Sequence, residues 1–158
     1  MHILVLNVGS SSLKFQLIET DEAAIAASRD RRLARGQIER IGGEAIVTLE
    51  AANGRASTNA VSIRDHAAAV DHIIRWLTSD DSGVPITTIR EIEAVGHRVV
   101  HGGERFTKLV RMTDEIWPEL EKLIDLAPGH NMDKKPCVSA ARAALWSGVP
   151  QVAVFDTA

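Results

Sequence analysis

The feature that most constrains this fold is a short apolar run, Ile3-Leu4-Val5-Leu6, that halts at Asn7-Val8-Gly9, crosses three serines and resumes as strict alternation. Leu13, Phe15 and Leu17 then share one face, and Lys14, Gln16 and Ile18 the other. The opening run is too short for a signal-peptide core or a membrane span. A run of this length and branching is a buried strand, and two such strands joined by a Gly-Ser turn form a hairpin. A third strand is expected within residues 32–40. Gly42-Gly43 marks a turn, and residues 45–50 pair back as a fourth strand. Residues 53–62 are small and polar and read as a loop or a ragged edge strand.

Helical periodicity begins after that. Val70, Ile73, Ile74 and Leu77 fall on one stripe, with Asp65 as N-cap and Asp80-Asp81-Ser82-Gly83 as the stop. Residues 92–100 read as a strand interrupted by Gly96 and leading into His101-Gly102-Gly103. Thr113, Asp114 and Glu115 suit the start of a second helix, where an N-cap and early acids meet the positive end of the dipole. Cys137, Ala140, Ala141, Ala144 and Leu145 give a third helix its buried face. Residues 152–155 form a strand that runs into Asp156. Strands first, then alternation of helix and strand, define an α/β chain. A domain rarely ends directly after a core strand that presents a carboxylate, so the chain is expected to be truncated.

The sequence has 158 residues, enough for one domain that buries roughly 70% of its unfolded surface. A formal net charge of −3 and dispersed Lys and Arg give no reason to expect nucleic acid or an acidic membrane surface as partner. Arg29, Arg31, Arg32 and Arg35, interleaved with Asp30, read as a solvated loop or strand edge. Cys137 is the sole cysteine, so no internal disulfide can form, which fits a cytoplasmic compartment. His2, His66 and His72 read as structural or surface residues.

Four segments could carry chemistry. In residues 7–14 a glycine and three serines leave backbone N–H groups and hydroxyls free for phosphate oxygens, and Lys14 adds positive charge. The Walker loop is excluded because its second glycine is missing. An ordinary hairpin turn with a solvated lysine fits the same residues. In residues 97–103, Arg98 ends an apolar strand beside two histidines and a double glycine; its planar fork suits a carboxylate or phosphate. A structural salt bridge is the alternative. His130, after Pro128-Gly129, lies on a loop, where a lone histidine is commonly inert. Asp156 closes a hydrophobic strand, where ligands of open α/β sheets bind, or else it caps a following helix.

Taken together, in order and over residues 3–158, these segments resemble the acetate kinase family, which includes propionate and butyrate kinases. Residues 7–14 resemble its N-x-G-S-S-S-x-K signature, and Gly96-His97-Arg98-Val99-Val100-His101-Gly102-Gly103 is similar to its second signature. Leu126-Ala127-Pro128 with His130-Asn131, and residues 149–157, match in order and spacing. The resemblance implies an α/β fold of the actin, chaperone-ATPase and sugar-kinase type, with a mixed sheet and flanking helices. Residues 1–158 would form its N-terminal domain, and the C-terminal nucleotide-binding domain would lie outside this chain.

The function so implied is reversible, ATP-dependent phosphorylation of acetate or propionate. By the same resemblance Asn7 contacts Mg²⁺, and Lys14, Ser10 and Ser12 reach the ATP phosphates. Arg98 holds the substrate carboxylate, and Val100 lines its methyl pocket. Asp156 is the catalytic carboxylate, and His130 touches the phosphoryl group in transit. A homodimer is implied as well. Gly129 stands where the family places a larger apolar residue, and residues 132–136 depart from its usual continuation. The other readings are a non-catalytic fragment or decayed gene product that folds without turnover, and a sugar or glycerol kinase relative. The latter open with aspartate where Asn7 stands and lack the signature around Arg98.

Overall fold

The computed structural model describes residues 1–9, 11–21, 31–99, 109–111 and 149–155, with 98–99, 109–111 and 153–155 described along the backbone. Eight strands form one sheet: β1 (His2–Val8), β2 (Leu13–Glu19), β3 (Arg31–Glu39), β4 (Gly43–Ala51), β5 (Ala56–Ile63), β6 (Ala94–Val99), β7 (Leu109–Arg111) and β8 (Gln151–Phe155). Their order is β5-β4-β3-β2-β1-β6-β8-β7. The β5-to-β1 half is antiparallel, β1, β6 and β8 run parallel, and β7 closes the far edge antiparallel. One helix, α1 (His66–Leu77), and a 3-10 turn (Ile89–Glu91) complete the described elements. This is the mixed sheet that the sequence implies; the helices expected beyond residue 112 lie outside the described residues.

Alternation places the core on one side of the sheet. Leu4, Leu6, Leu13 and Leu17 are at most 1% exposed, whereas Lys14 and Gln16 face solvent. Ile38 and Val47 continue this apolar face across β3 and β4. Leu33 and Ala34 are both buried although adjacent, because the β2–β3 register shifts beside them. Such a bulge lets two consecutive residues point inward.

Helix α1 covers this face with Val70, Ile73, Ile74 and Leu77. Its start follows the sequence reading: Asp65 is extended, and its Oδ1 accepts the Ala68 N–H at 2.9 Å. A cap of this kind contributes about 1 kcal/mol. The helix ends at Leu77, before the expected acidic stop, because the Thr78 hydroxyl and N–H both turn back to the Ile74 carbonyl. Trp76 meets Phe15 edge-on, with ring centroids 6.2 Å apart.

Three local readings are corrected. Arg31, Arg32 and Arg35 lie on β3, an interior strand; Arg32 and Arg35 are exposed on the face that carries Gln16 and Ile18, and Arg31 is exposed at the strand's start. Gly96 does not interrupt β6; it pairs with Val5 on one side and Val152 on the other. Residues 53–62 contribute a regular edge strand, β5, paired along its whole length with β4.

Candidate functional site

At the β1–β2 turn the carbonyls of Gly9, Ser11 and Ser12 all accept protein donors. Val8 pairs with Leu13, and the Gly9 N–H donates to the Ser12 carbonyl at 2.9 Å. The Ser11 carbonyl accepts the Ile41 N–H from the β3–β4 turn at 2.9 Å. The Gly9 carbonyl accepts from the His66 ring Nε2 at 3.0 Å. Among the described residues the N–H groups of Ser11 and Ser12 donate to no protein group. In a trans peptide C=O and N–H point oppositely. Anchoring the Ser11 carbonyl to Ile41 therefore aims the Ser12 N–H away from the β3–β4 turn. A Cβ at Gly9 would meet the Ser12 Oγ, so a larger residue there would require the serine hydroxyl to turn.

On the sheet face opposite α1, Asn7 and Lys14 are cross-strand partners one rung from this turn. Asn7 is half-buried and Lys14 exposed. Neither makes a side-chain hydrogen bond or ion pair among the described residues. Both line a groove of about 670 Å³ that also includes Gln16, Arg35, Gln37 and Glu50. Arg35 pairs with Glu50 at 3.3 Å, both half-exposed, so that cation is partly compensated while Lys14 is not.

Strand β6 lies beside β1 with Leu6 opposite His97, which brings the Arg98 backbone level with Asn7. Behind it, His97 is 3% exposed and its Nε2 lies 2.7 Å from Gln151 Oε1, joining β6 to β8. Strand β8 runs parallel to β6, so Phe155 ends beside Val99 at the same end of the sheet. Asn7, Ser12, Lys14 and the Arg98 position thus gather at the carboxyl ends of β1 and β6. Ser10, Val100, His130 and Asp156 lie outside the described residues. His66 is the contact that sequence reasoning missed. It sits four residues before Val70 on the buried stripe, where a ring nitrogen needs a partner.

A mixed sheet that opens with a hairpin, continues into parallel strands and gathers its polar groups at their carboxyl ends defines the class: an N-terminal domain of the actin, chaperone-ATPase and sugar-kinase type. The particular family follows from its relatives. The family model described as the Acetokinase family matches residues 2–158, and the chain belongs to that family.

An acetate kinase of Solibacter usitatus is 53% identical over 159 residues, which cover 100% of this chain and 38% of that protein. One of Chloroherpeton thalassium is 43% identical over 164 residues, covering 100% of this chain and 39% of that protein. Among solved structures, Porphyromonas gingivalis acetate kinase superposes with a TM-score of 0.85 at 38% identity, covering 99% of this chain and 37% of the other. A propionate kinase from Francisella tularensis superposes at 0.79 and 29% identity, covering 98% and 36%. The chain therefore spans less than two-fifths of the relatives it matches.

Proposed function

We propose that this chain is the N-terminal domain of a kinase that transfers the γ-phosphoryl group of ATP to acetate or a near homologue, and that it forms one wall of the catalytic cleft. The observation that carries the reading is the Asn7–Lys14 rung, whose side chains make no hydrogen bond or ion pair among the described residues, beside a turn whose Gly9, Ser11 and Ser12 carbonyls are engaged by protein donors. Carbonyl oxygens repel phosphate, and free N–H groups, hydroxyls and an uncompensated ammonium attract it. In-line phosphoryl transfer needs positioning and charge neutralisation more than covalent help.

The residues divide that work. Lys14 and the Ser10 and Ser12 groups bind ATP phosphates. Arg98 presents two parallel donors to the substrate carboxylate and fixes the attacking oxygen, with Val100 against its alkyl end. A carboxylate is already ionised at neutral pH, so no strong base is needed. Asp156 orients the reacting groups and His130 donates to the moving phosphoryl group. Mg²⁺, bound with ATP, neutralises phosphate charge.

Asn7 fits such an ion as a neutral oxygen donor. Such an ion would be carried largely by the ATP phosphates and water, as Mg²⁺ usually is. Gly129 stands in sequence beside His130 where the family places a larger apolar residue, and on that ground propionate is proposed as a substrate alongside acetate.

The test joins residues 1–158 to the C-terminal remainder of the Solibacter usitatus acetate kinase. Acetyl phosphate formation from ATP and acetate is expected, with Lys14→Ala raising KM for ATP. A folded chimaera without turnover, beside an active Solibacter enzyme, overturns the reading.

A further inference from the structure

We infer that His66 is a positioning residue for the phosphate-facing turn, holding the Gly9 carbonyl away from the ligand through its Nε2–H. The inference rests on the reading of residues 9–12 as a phosphate-binding turn.

The geometry begins with the helix. Asp65 caps α1, so His66 is its first residue, and side chains on a helix tilt toward its N-terminus. The His66 ring is thereby directed past the end of α1 to the turn 57 positions earlier in sequence, where it is 7% exposed and Nε2 lies 3.0 Å from the Gly9 oxygen. A carbonyl oxygen can only accept, so Nε2 must carry the proton. Val70, Ile73, Ile74 and Leu77 bury α1 against the sheet, and Trp76 packs on Phe15 of β2. The donor is thus presented from a rigid support rather than from a loop.

His66 and the Ile41 N–H act as two clamps on one turn, from α1 and from the β3–β4 turn. Each takes up a carbonyl that would otherwise be free to face an incoming anion. Losing the His66 clamp leaves the Gly9 carbonyl unpaired, and rotating that peptide toward the groove puts a partial negative charge where phosphate oxygens bind.

The experiment titrates the full chain with magnesium tripolyphosphate, which offers the phosphates of a nucleotide without its base, and follows the Gly9, Ser11 and Ser12 amide resonances. His66→Leu should bind roughly tenfold more weakly, the scale of one lost hydrogen bond to a positioned group. His66→Gln, which keeps an N–H donor, should recover most of the affinity. Equal affinity in a folded His66→Leu protein overturns the inference while leaving the turn's role intact. If tripolyphosphate leaves the wild-type turn amides unmoved, the phosphate reading itself fails and takes the inference with it. Should His66→Leu not fold, two results decide: the His66→Gln titration, and long-range ¹H–¹⁵N spectra of the wild-type imidazole. A ring protonated at Nδ1 alone, or a His66→Gln protein as weak as one lacking any clamp, rules the inference out.

Discussion

Gly36 lies directly beneath the Phe15 ring: the two are cross-strand partners on the core face, and a Cβ at residue 36 would stand 2.7 Å from the ring carbon Cε1. The same Cβ would press still harder on the Thr48 carbonyl of the neighbouring strand. Phe15 is in turn fixed by Trp76 of α1. The glycine therefore leaves the space in which the Phe15 ring sits against Trp76.

Gly36→Ala should destabilise the chain although alanine is intrinsically better suited to a strand. The ring can shift only by disturbing Trp76, and the Thr48 carbonyl belongs to the sheet ladder, so neither gives easily. Overpacking of this sort costs about 1–3 kcal/mol. The measurement is the urea midpoint at unchanged slope. A midpoint equal to wild type or higher would show that the sheet relaxes freely at this rung.

Arg40→Gly should do the opposite. Arg40 is exposed and is the one non-glycine with positive φ, 61°, among the described residues. The left-handed conformation costs an ordinary residue roughly 1–2 kcal/mol, part of which glycine returns as unfolded-state entropy. A net gain of about 0.5–1 kcal/mol corresponds to a Tm higher by roughly 1–4 °C. The adjacent Ile41 N–H, which holds the Ser11 carbonyl, keeps its place in this variant, so tripolyphosphate binding should be unchanged. A lower Tm would mean that the arginine side chain contributes more than its backbone costs.

These positions also show what the sequence reveals and what it hides. The hairpin, the Asp65 cap and the α1 stripe are legible because each depends on residues within a few positions of one another. The family signatures were legible too, since they are contiguous strings. Strand order was not: nothing local in Arg31, Arg32 and Arg35 distinguishes an edge strand from an interior strand with one open face. Nothing local marks Gly36 as the residue that makes room for Phe15; the β2–β3 pairing does. His66 reads as one more histidine until the fold brings it against Gly9. What remained hidden are pairings across long loops, which periodicity cannot encode.

Arg98→Lys, placed in the chimaera with the Solibacter remainder, should lose roughly ten- to two-hundredfold in kcat/KM for acetate. That span corresponds to about 1.5–3 kcal/mol for a hydrogen bond to a charged group. Lysine keeps the charge but not the planar fork, so one of the two parallel contacts proposed for Arg98 would be lost. The KM for ATP should change little, since Lys14 and the serine turn are untouched. Kinetics close to wild type would remove Arg98 from the role of carboxylate anchor.

The chain of residues 1–158 by itself should bind phosphate groups and yet turn nothing over. One wall offers Asn7, Ser12, Lys14 and the Arg98 position, all at one end of the sheet. Transfer needs nucleotide, metal and carboxylate held in line, and most of the rate gain comes from that positioning. The relatives that carry the acetate kinase name are more than twice as long as this chain, which spans 37–39% of them. If phosphates bind in the groove beside Asn7 and Lys14, closure over them is needed to exclude water. Acetyl phosphate formation by the purified chain should therefore stay at background, while adding the Solibacter remainder in cis restores it. Turnover by the chain alone near the ~1–100 s⁻¹ usual for kinases would prove this half self-sufficient and would place the whole reaction on the one face described.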